Sequence, residues 1–278
     1  MNARLLFILL LFTIGALWYI IGYWRRKAGE AAFAAARLTE KSEERERYCR
    51  LAVMAGHREA CRMFCLLHPE RFDGHSPHKP FKLRGIRISF YGYYYPSRYN
   101  ALLNDEQRAF CHSIYQFKQG DIHGIEFFKT CMNALQLKKR PYHIMFMPCS
   151  NWIKYGQQFK RLDWYIGKHR QDLTSGLYDV DICDARESLH EAKGGEKRIL
   201  ERNYLITGKI KGKEIIIIDD VLTTGQSVVD YKEEIERCGG KVVAAIFYGK
   251  TLSMPSMLLV QIHVWGNHIA HIIERMTK

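Results

Sequence analysis

The chain has 278 residues and a formal net charge of +13, with 42 Lys and Arg against 29 Asp and Glu. That length holds one enzyme-sized domain with an appendage, and the charge favours acidic partners: anionic lipid, nucleic acid or a polyphosphate substrate. Eight cysteines, at 49, 61, 65, 111, 131, 149, 183 and 238, form no CxxC pair and are too sparse for a disulfide scaffold, so a reducing compartment with free thiols fits.

In chain order, residues 1–27 read as a transmembrane anchor. Residues 5–24 are a nearly unbroken apolar run of about the length that crosses a bilayer. Trp18, Tyr19, Tyr23 and Trp24 sit at its end like an interfacial belt, and Arg25-Arg26-Lys27 follows at once. The positive-inside rule then puts the remainder in the cytoplasm, as a single-pass protein of a bacterial-type inner (cytoplasmic) membrane. A cleaved signal peptide competes with this reading, but the bulky aromatic end and the lack of a small-x-small site speak against it.

Residues 28–68 are helix-rich, in pieces at 31–36, 43–50 and 51–67. One such unit does not bury its own apolar face, so it is expected to pack on the following domain, on another protein or on a second copy in a homodimer. His57, Cys61, Cys65 and His68 fall on one helix face with ligand types that suit zinc; small cysteines filling a helix seam explain the same spacing. Residues 69–84, with three prolines, read as a linker to a domain over 85–278.

Residues 86–95 alternate like a strand, and helices are expected at 105–118 and 123–137. Tyr93 to Tyr95 read as core or as a base-stacking platform for nucleic acid. Residues 142–147 should form the first core strand, ending at Pro148-Cys149-Ser150-Asn151, and 177–183 the second. A polar stretch, 184–203, precedes four β-branched residues, Ile215 to Ile218, which read as a strand covered on both faces. Asp219 and Asp220 end that strand. Thr223-Thr224-Gly225-Gln226-Ser227 then makes a polar turn into a helix that stops at Gly239-Gly240. Residues 242–247 supply the next strand, and apolar segments at 257–265 and 269–276 close the sequence.

The order strand, acidic pair, hydroxyl-rich turn and helix has a chemical meaning. Ligands of open α/β sheets sit beyond the carboxyl ends of the strands. A turn opening a helix there offers free N–H groups and the positive dipole end to a phosphate monoester. Gly225 permits close backbone approach, while Thr223, Thr224 and Ser227 add hydroxyl donors. Two carboxylates repel phosphate but suit sugar hydroxyls, directly or with Mg²⁺. A compound with both features is 5-phosphoribosyl 1-pyrophosphate (PRPP).

The stretch from Ile215 to Ser227 resembles the PRPP-binding signature of type I phosphoribosyltransferases. Upstream, Ser113-Ile-Tyr-Gln-Phe-Lys-Gln-Gly-Asp121 is similar to the region before the core in ComF-type proteins, phosphoribosyltransferase-fold proteins associated with bacterial DNA uptake. Residues 55–60 resemble part of a Sel1-like or tetratricopeptide-type hairpin. The resemblance implies an α/β fold: a parallel sheet flanked by helices, with a small hood drawn from 86–100 or from the C-terminal region. It implies that Asp219 and Asp220 hold the ribose, that Thr223, Thr224, Gly225, Gln226 and Ser227 hold the phosphate, and that Val221 and Leu222 belong to the same phosphate- and ribose-binding stretch. Cys149, Ser150 and Asn151, with Lys160 and Arg161, would meet the pyrophosphate. Residues 184–203 would be the catalytic lid, bringing Lys197 and Arg198 to the site, with Arg186, Ser188 and Asn203 also echoing the ComF pattern. No dedicated metal ligands are implied beyond Mg²⁺ carried by PRPP and touched by Asp219 and Asp220. The implied reaction moves a phosphoribosyl group to a small-molecule acceptor, a nitrogenous base, with release of pyrophosphate. Two departures stand out: Gln158-Phe159-Lys160-Arg161 replaces the usual Arg-Gly-Phe-Asn, and the paired-cysteine zinc module is missing. A non-catalytic PRPP or nucleotide sensor and a DNA-uptake component are the alternative readings.

Overall fold

The structure, a computed structural model, describes residues 3–121, 123–182, 203–207 and 210–277. In chain order the helices are α1 (Ala3–Leu38), α2 (Ser42–Met54), α3 (Arg58–Leu67), α4 (Pro69–Asp73), α5 (Asp105–Lys118), α6 (His123–Leu135), α7 (Trp152–His169), α8 (Gln226–Arg237) and α9 (Met257–Met276). The strands are β1 (Phe81–Leu83), β2 (Ile86–Tyr94), β3 (Tyr142–Phe146), β4 (Leu173–Ser175), β5 (Val180–Ile182), β6 (Tyr204–Ile206), β7 (Glu214–Leu222) and β8 (Lys241–Thr251). They cluster into two compact units, residues 1–74 with 101–103 and 253–278, and residues 75–100 with 104–252.

The first unit is helical. α2 ends at Ala55 because Gly56 takes the left-handed conformation (φ 89°) that closes a helix. α3 restarts at once, its amides capped by His57, whose Nδ1 accepts from Ala60 N–H at 3.2 Å. The break thus falls at 55–57 and not at the expected 50/51. His57 also stacks on Phe33 at 4.3 Å, so both its ring face and its nitrogen are engaged within the helical packing. Cys49, Cys61 and Cys65 are buried with Ala52, Val53 and Phe64. Burial pushes the thiols of Cys49 and Cys65 up to about 12 and that of Cys61 to about 11, which keeps them neutral packing groups. Among the described residues no helix is long and apolar enough to cross a membrane. The described apolar part of α1 runs into Arg25, Arg26 and Lys27; Arg25 Nη2 donates to Met54 O at 3.0 Å, and Gly29 lies against Ala55. The transmembrane expectation for 1–27 is therefore not borne out. The linker expected at 69–84 is also corrected, because it contains α4 and β1.

The second unit is built on a six-stranded sheet of order β1-β2-β8-β7-β3-β4, parallel except for the β1–β2 hairpin. β7 lies inside it because Ile215 to Ile218 are apolar on both faces and all fully buried. Ile216 and Ile218 meet Phe117, Phe127, Phe159 and Tyr248 in a core beneath α5, α6 and α7. Ile215 turns to the opposite face, against Ile235 of α8 and Ile210, where Gly240 leaves the room. A separate antiparallel pair, β5–β6, lies outside this sheet.

Three expectations change here. Residues 86–94 are not a hood: β2 pairs in parallel with β8, Arg87 opposite Ala244 through Tyr94 opposite Thr251. The sheet strand after β3 is Leu173–Ser175, while Val180–Ile182 belongs to the small pair. Tyr93 and Tyr95 are buried, with Tyr93 Oη donating to His75 O, so 93–95 form no open stacking platform.

Candidate functional site

The parallel strands deliver their carboxyl ends to one edge, and there β7 presents Asp219 and Asp220. Asp220 N–H donates to Asp219 Oδ1 at 2.7 Å, and Val221 N–H donates to Asp220 Oδ1. Across from them, Lys118, the last residue of α5, places Nζ 2.9 Å from Asp220 Oδ2. Burial, then the neighbouring Asp220 charge, pushes the Asp219 carboxyl well above the usual range; the Asp220 amide and Lys118 pull the other way. Burial alone would lower the Lys118 ammonium, but the charge and hydrogen bond of Asp220, with Asp219 behind it, hold it above its ordinary value. The result is two carboxyl groups and one ammonium at the tip of the central strand, a polar cluster on top of an apolar one.

Beyond Leu222 the chain makes the cup. Gly225 is the N-cap of α8 in the left-handed conformation, φ 77°, and no side chain caps the helix there. Gln226 N–H reaches Thr224 Oγ1 at 3.4 Å, and Thr223, Thr224, Gln226 and Ser227 are exposed. A helix start without a capping side chain is a site for an anion. Its wall comes from the β1–β2 hairpin. Leu83 lies so close that a Cβ on Gly225 would meet its Cδ2 at 2.2 Å. Arg84 Nη1 donates to Gln226 Oε1 at 2.6 Å. Arg84 and Gly85 both have positive φ, 45° and 84°, the two-residue turn that matches strand twist.

The turn after β3 joins the same edge. Met147 N–H donates to Ile218 O at 2.9 Å, and Asn151 caps α7, its Oδ1 accepting from Lys154 N–H at 2.9 Å. Asn203 closes over this turn from far along the chain, its Nδ2 donating to Cys149 O at 3.2 Å and Ser150 O at 3.4 Å. The Cys149 thiol is pushed up by burial and then by the charges of Asp219 and Asp220, which places it near the pair and makes it a poor nucleophile.

The structure thus brings together Asp219 and Asp220 with Cys149, and Asn203 with Cys149 and Ser150, and it sets Val221 to Ser227 at the end of β7. Lys160 and Arg161 are not among the residues shown in contact with the turn after β3. They are on α7, roughly 14 Å of helix rise beyond Asn151, and line a cleft of about 790 Å³ with Trp152, Trp164 and Tyr178. A second cleft of about 400 Å³ is lined by His112, Tyr115 and Asp121; Asp219 and Asp220 line neither. Arg186, Ser188, Lys197 and Arg198 lie outside the described residues. Lys118 and Arg84 are the residues that sequence reasoning missed. The Leu83-Arg-Gly-Ile86 spacing, a two-residue turn between apolar positions, was the available signal for Arg84; Lys118 lies within the Ser113–Asp121 stretch, whose resemblance gives the lysine no role.

No group of three or more His, Cys, Asp or Glu side chains able to hold a metal ion occurs among the described residues. Two adjacent carboxylates suit Mg²⁺ that arrives with most of its ligands supplied by a phosphate compound and water. The Asp219–Asp220 pair fits that role, and not that of a resident metal cage.

Comparison with known proteins agrees with this geometry. Residues 171–251, from just before β4 to the end of β8, match the family model "Phosphoribosyl transferase domain". The orotate phosphoribosyltransferase of Sulfolobus acidocaldarius is 42% identical over 57 residues, 20% of this chain and 26% of that protein. The match thus spans about a quarter of the length of this curated relative. Each comparison is a partial match to a phosphoribosyltransferase.

Proposed function

We propose that the chain binds PRPP at the end of β7 and transfers its phosphoribosyl group to a nitrogenous base, releasing pyrophosphate. The single observation behind this is the coincidence at one sheet edge of a carboxylate pair and a helix start without a capping side chain. The carboxylates suit the ribose hydroxyls, and the cup formed by Thr223 to Ser227 suits the 5-phosphate, with Arg84 adding a positive charge at its wall. The turn at Cys149, Ser150 and Asn151, with the amides at the start of α7, would take the pyrophosphate. Mg²⁺ would be held by Asp219 and Asp220, and it would neutralise charge on the pyrophosphate. In the reaction the acceptor nitrogen forms a bond to C1 of the ribose as the C1–O bond to pyrophosphate breaks, the electron pair leaving with that oxygen and the proton of the acceptor N–H passing to water. Asp219 and Asp220 orient the sugar and place negative charge near the developing positive carbon.

The relative from Sulfolobus acts, by its name, on orotate, so orotate belongs first in any panel of acceptors. The test is PRPP binding by calorimetry with Mg²⁺, followed by pyrophosphate release against a panel of free bases. Absence of PRPP binding sinks the reading. A second reading, a PRPP sensor without turnover, is favoured by one observation. Gln158 and Phe159, at the place of the ComF Arg-Gly-Phe-Asn element, are buried within α7. Tight PRPP binding with no release of pyrophosphate for any base selects that reading.

A further inference from the structure

The end of α5 is clamped on both sides of Lys118. Phe117 is buried, its ring 5.4 Å from that of Tyr248 on β8 and 5.4 Å from that of Phe127 on α6. Gly120 takes the left-handed conformation, φ 82°, so close to α7 that a Cβ there would meet Gln157 O at 2.4 Å. Gln157 Nε2 also donates to Gln119 Oε1 at 2.9 Å. Lys118 therefore springs from a fixed root, unlike a lysine on a free surface turn. Its Nζ crosses to β7 and lies 2.9 Å from Asp220 Oδ2.

The carboxyl groups it meets are already tied to the backbone. Asp219 Oδ1 accepts from Asp220 N–H, and Asp220 Oδ1 accepts from Val221 N–H. Asp220 Oδ2 is turned away from those amides, and Lys118 holds it. Mg²⁺ demands an octahedron of oxygens and gives up its water reluctantly. Among the described residues no group of three His, Cys, Asp or Glu side chains offers it a cage. An ion arriving by itself would have to displace an ammonium and would gain little in exchange. A polyphosphate alters that balance twice over. It brings oxygens to the ion, and its negative charge gives the ammonium a second partner.

We propose that Lys118 is a positioning residue that stands in for the divalent cation on Asp220 before substrate arrives, so that Mg²⁺ is admitted only together with PRPP. The inference rests on the assignment of PRPP to the end of β7. Without the lysine, a free divalent ion would settle on the acidic pair and obstruct the place assigned to the ribose hydroxyls. With it, Asp220 is held neutralised and correctly turned until the sugar phosphate draws the ammonium away.

The test uses the full chain and Mn²⁺, a paramagnetic substitute for Mg²⁺, with no PRPP present. Binding is read from the loss of the free-ion signal in electron paramagnetic resonance. Lys118→Met should bind Mn²⁺ about tenfold or more tightly than the parent, because the positive charge beside the ion is gone. Lys118→Arg keeps that charge and should match the parent. Lys118→Gln removes it but keeps a donor for Asp220, and it carries the test should the methionine variant not fold. Adding Asp220→Asn to the neutral variant should return the affinity to the parent's. Equal Mn²⁺ affinity of parent and neutral variants overturns the inference. So does an arginine variant that binds like the neutral ones, or a gain that survives Asp220→Asn. Calorimetry of the parent with PRPP and Mg²⁺ keeps the two readings apart. PRPP binding without the Mn²⁺ effect removes the role of Lys118 alone, whereas no PRPP binding removes the assignment beneath it and the inference with it.

Discussion

Gly225→Ala probes the cup at its tightest point. Two separate terms oppose the methyl group. A left-handed backbone is unfavourable for an L-residue by about 1–2 kcal/mol, and Gly225 sits at φ 77°. A Cβ there would also lie 2.2 Å from Leu83 Cδ2, which forces the β1–β2 hairpin outward at about 1–3 kcal/mol for overpacking. Together they predict a loss of about 2–5 kcal/mol in urea denaturation of the sheet unit, together with weaker PRPP binding as Arg84 leaves Gln226. Leu83→Ala should restore the second term and leave the first. A double-mutant cycle of the two should therefore show a coupling of about 1–3 kcal/mol in the restoring direction. If the two effects simply add to within about 0.5 kcal/mol, Leu83 is not the wall of the cup and this reasoning is wrong.

Other outcomes follow from the same edge. Asp219→Asn and Asp220→Asn should each weaken PRPP affinity by at least about tenfold, the worth of one or more charged hydrogen bonds, and an unchanged calorimetric Kd would reject the ribose assignment. Asp219→Asn should also stabilise the ligand-free protein at neutral pH. Its carboxyl is raised on folding, so ionisation opposes the fold, and the gain should vanish as pH falls toward about 3.9, where the unfolded group also protonates. Equal stability of parent and variant at neutral pH counts against that. Arg84→Ala should raise the Kd for PRPP by about tenfold with little change in unfolding, because the side chain is exposed; equal affinity would remove Arg84 from the phosphate site. His143 tests a polar link within the sheet unit. Its Nε2 is 2.8 Å from Asp179 Oδ2 and its Nδ1 is 2.7 Å from Thr174 Oγ1. Burial, then Lys213, lowers its proton affinity, although Asp179 opposes them. Its folded value lies below the unfolded one, so stability is complete above about pH 6.5 and declines as the pH falls below it. His143→Gln should flatten that decline, and identical slopes for parent and variant would refute the assignment.

The strand, turn and helix of the site were legible because each is set by neighbours in sequence. Four β-branched residues demand burial on both faces, and a glycine at the helix start marks the one left-handed position. The hairpin at 81–86 was hidden by the prolines at 69, 77 and 80, which made its surroundings look like a tether. Lys118 and Arg84 were illegible for a different reason. Arg84 meets a residue 142 positions away, and a cation at the end of α5 looks like an ordinary helix-dipole partner until β7 is laid beside it. The second core strand was misplaced because Leu173–Ser175 buries only Leu173 and carries almost no apolar signal, whereas Val180–Ile182 looks more strand-like yet pairs with Tyr204–Ile206. Lys160 and Arg161 were assigned to the pyrophosphate turn by proximity in sequence, but a helix carries its residues away from its own start.

The hairpin wall has a consequence for how this site can be inherited. The block that matches the phosphoribosyl transferase domain model, 171–251, holds the floor of the cup but neither Leu83, Arg84 nor Lys118. Recombination that moved this block alone into a new protein would transfer the recognisable signature without the flank and counter-charge beside it. A host that kept the chemistry would have to improvise both from its own upstream sequence, so relatives should differ most in the residues that make those contacts.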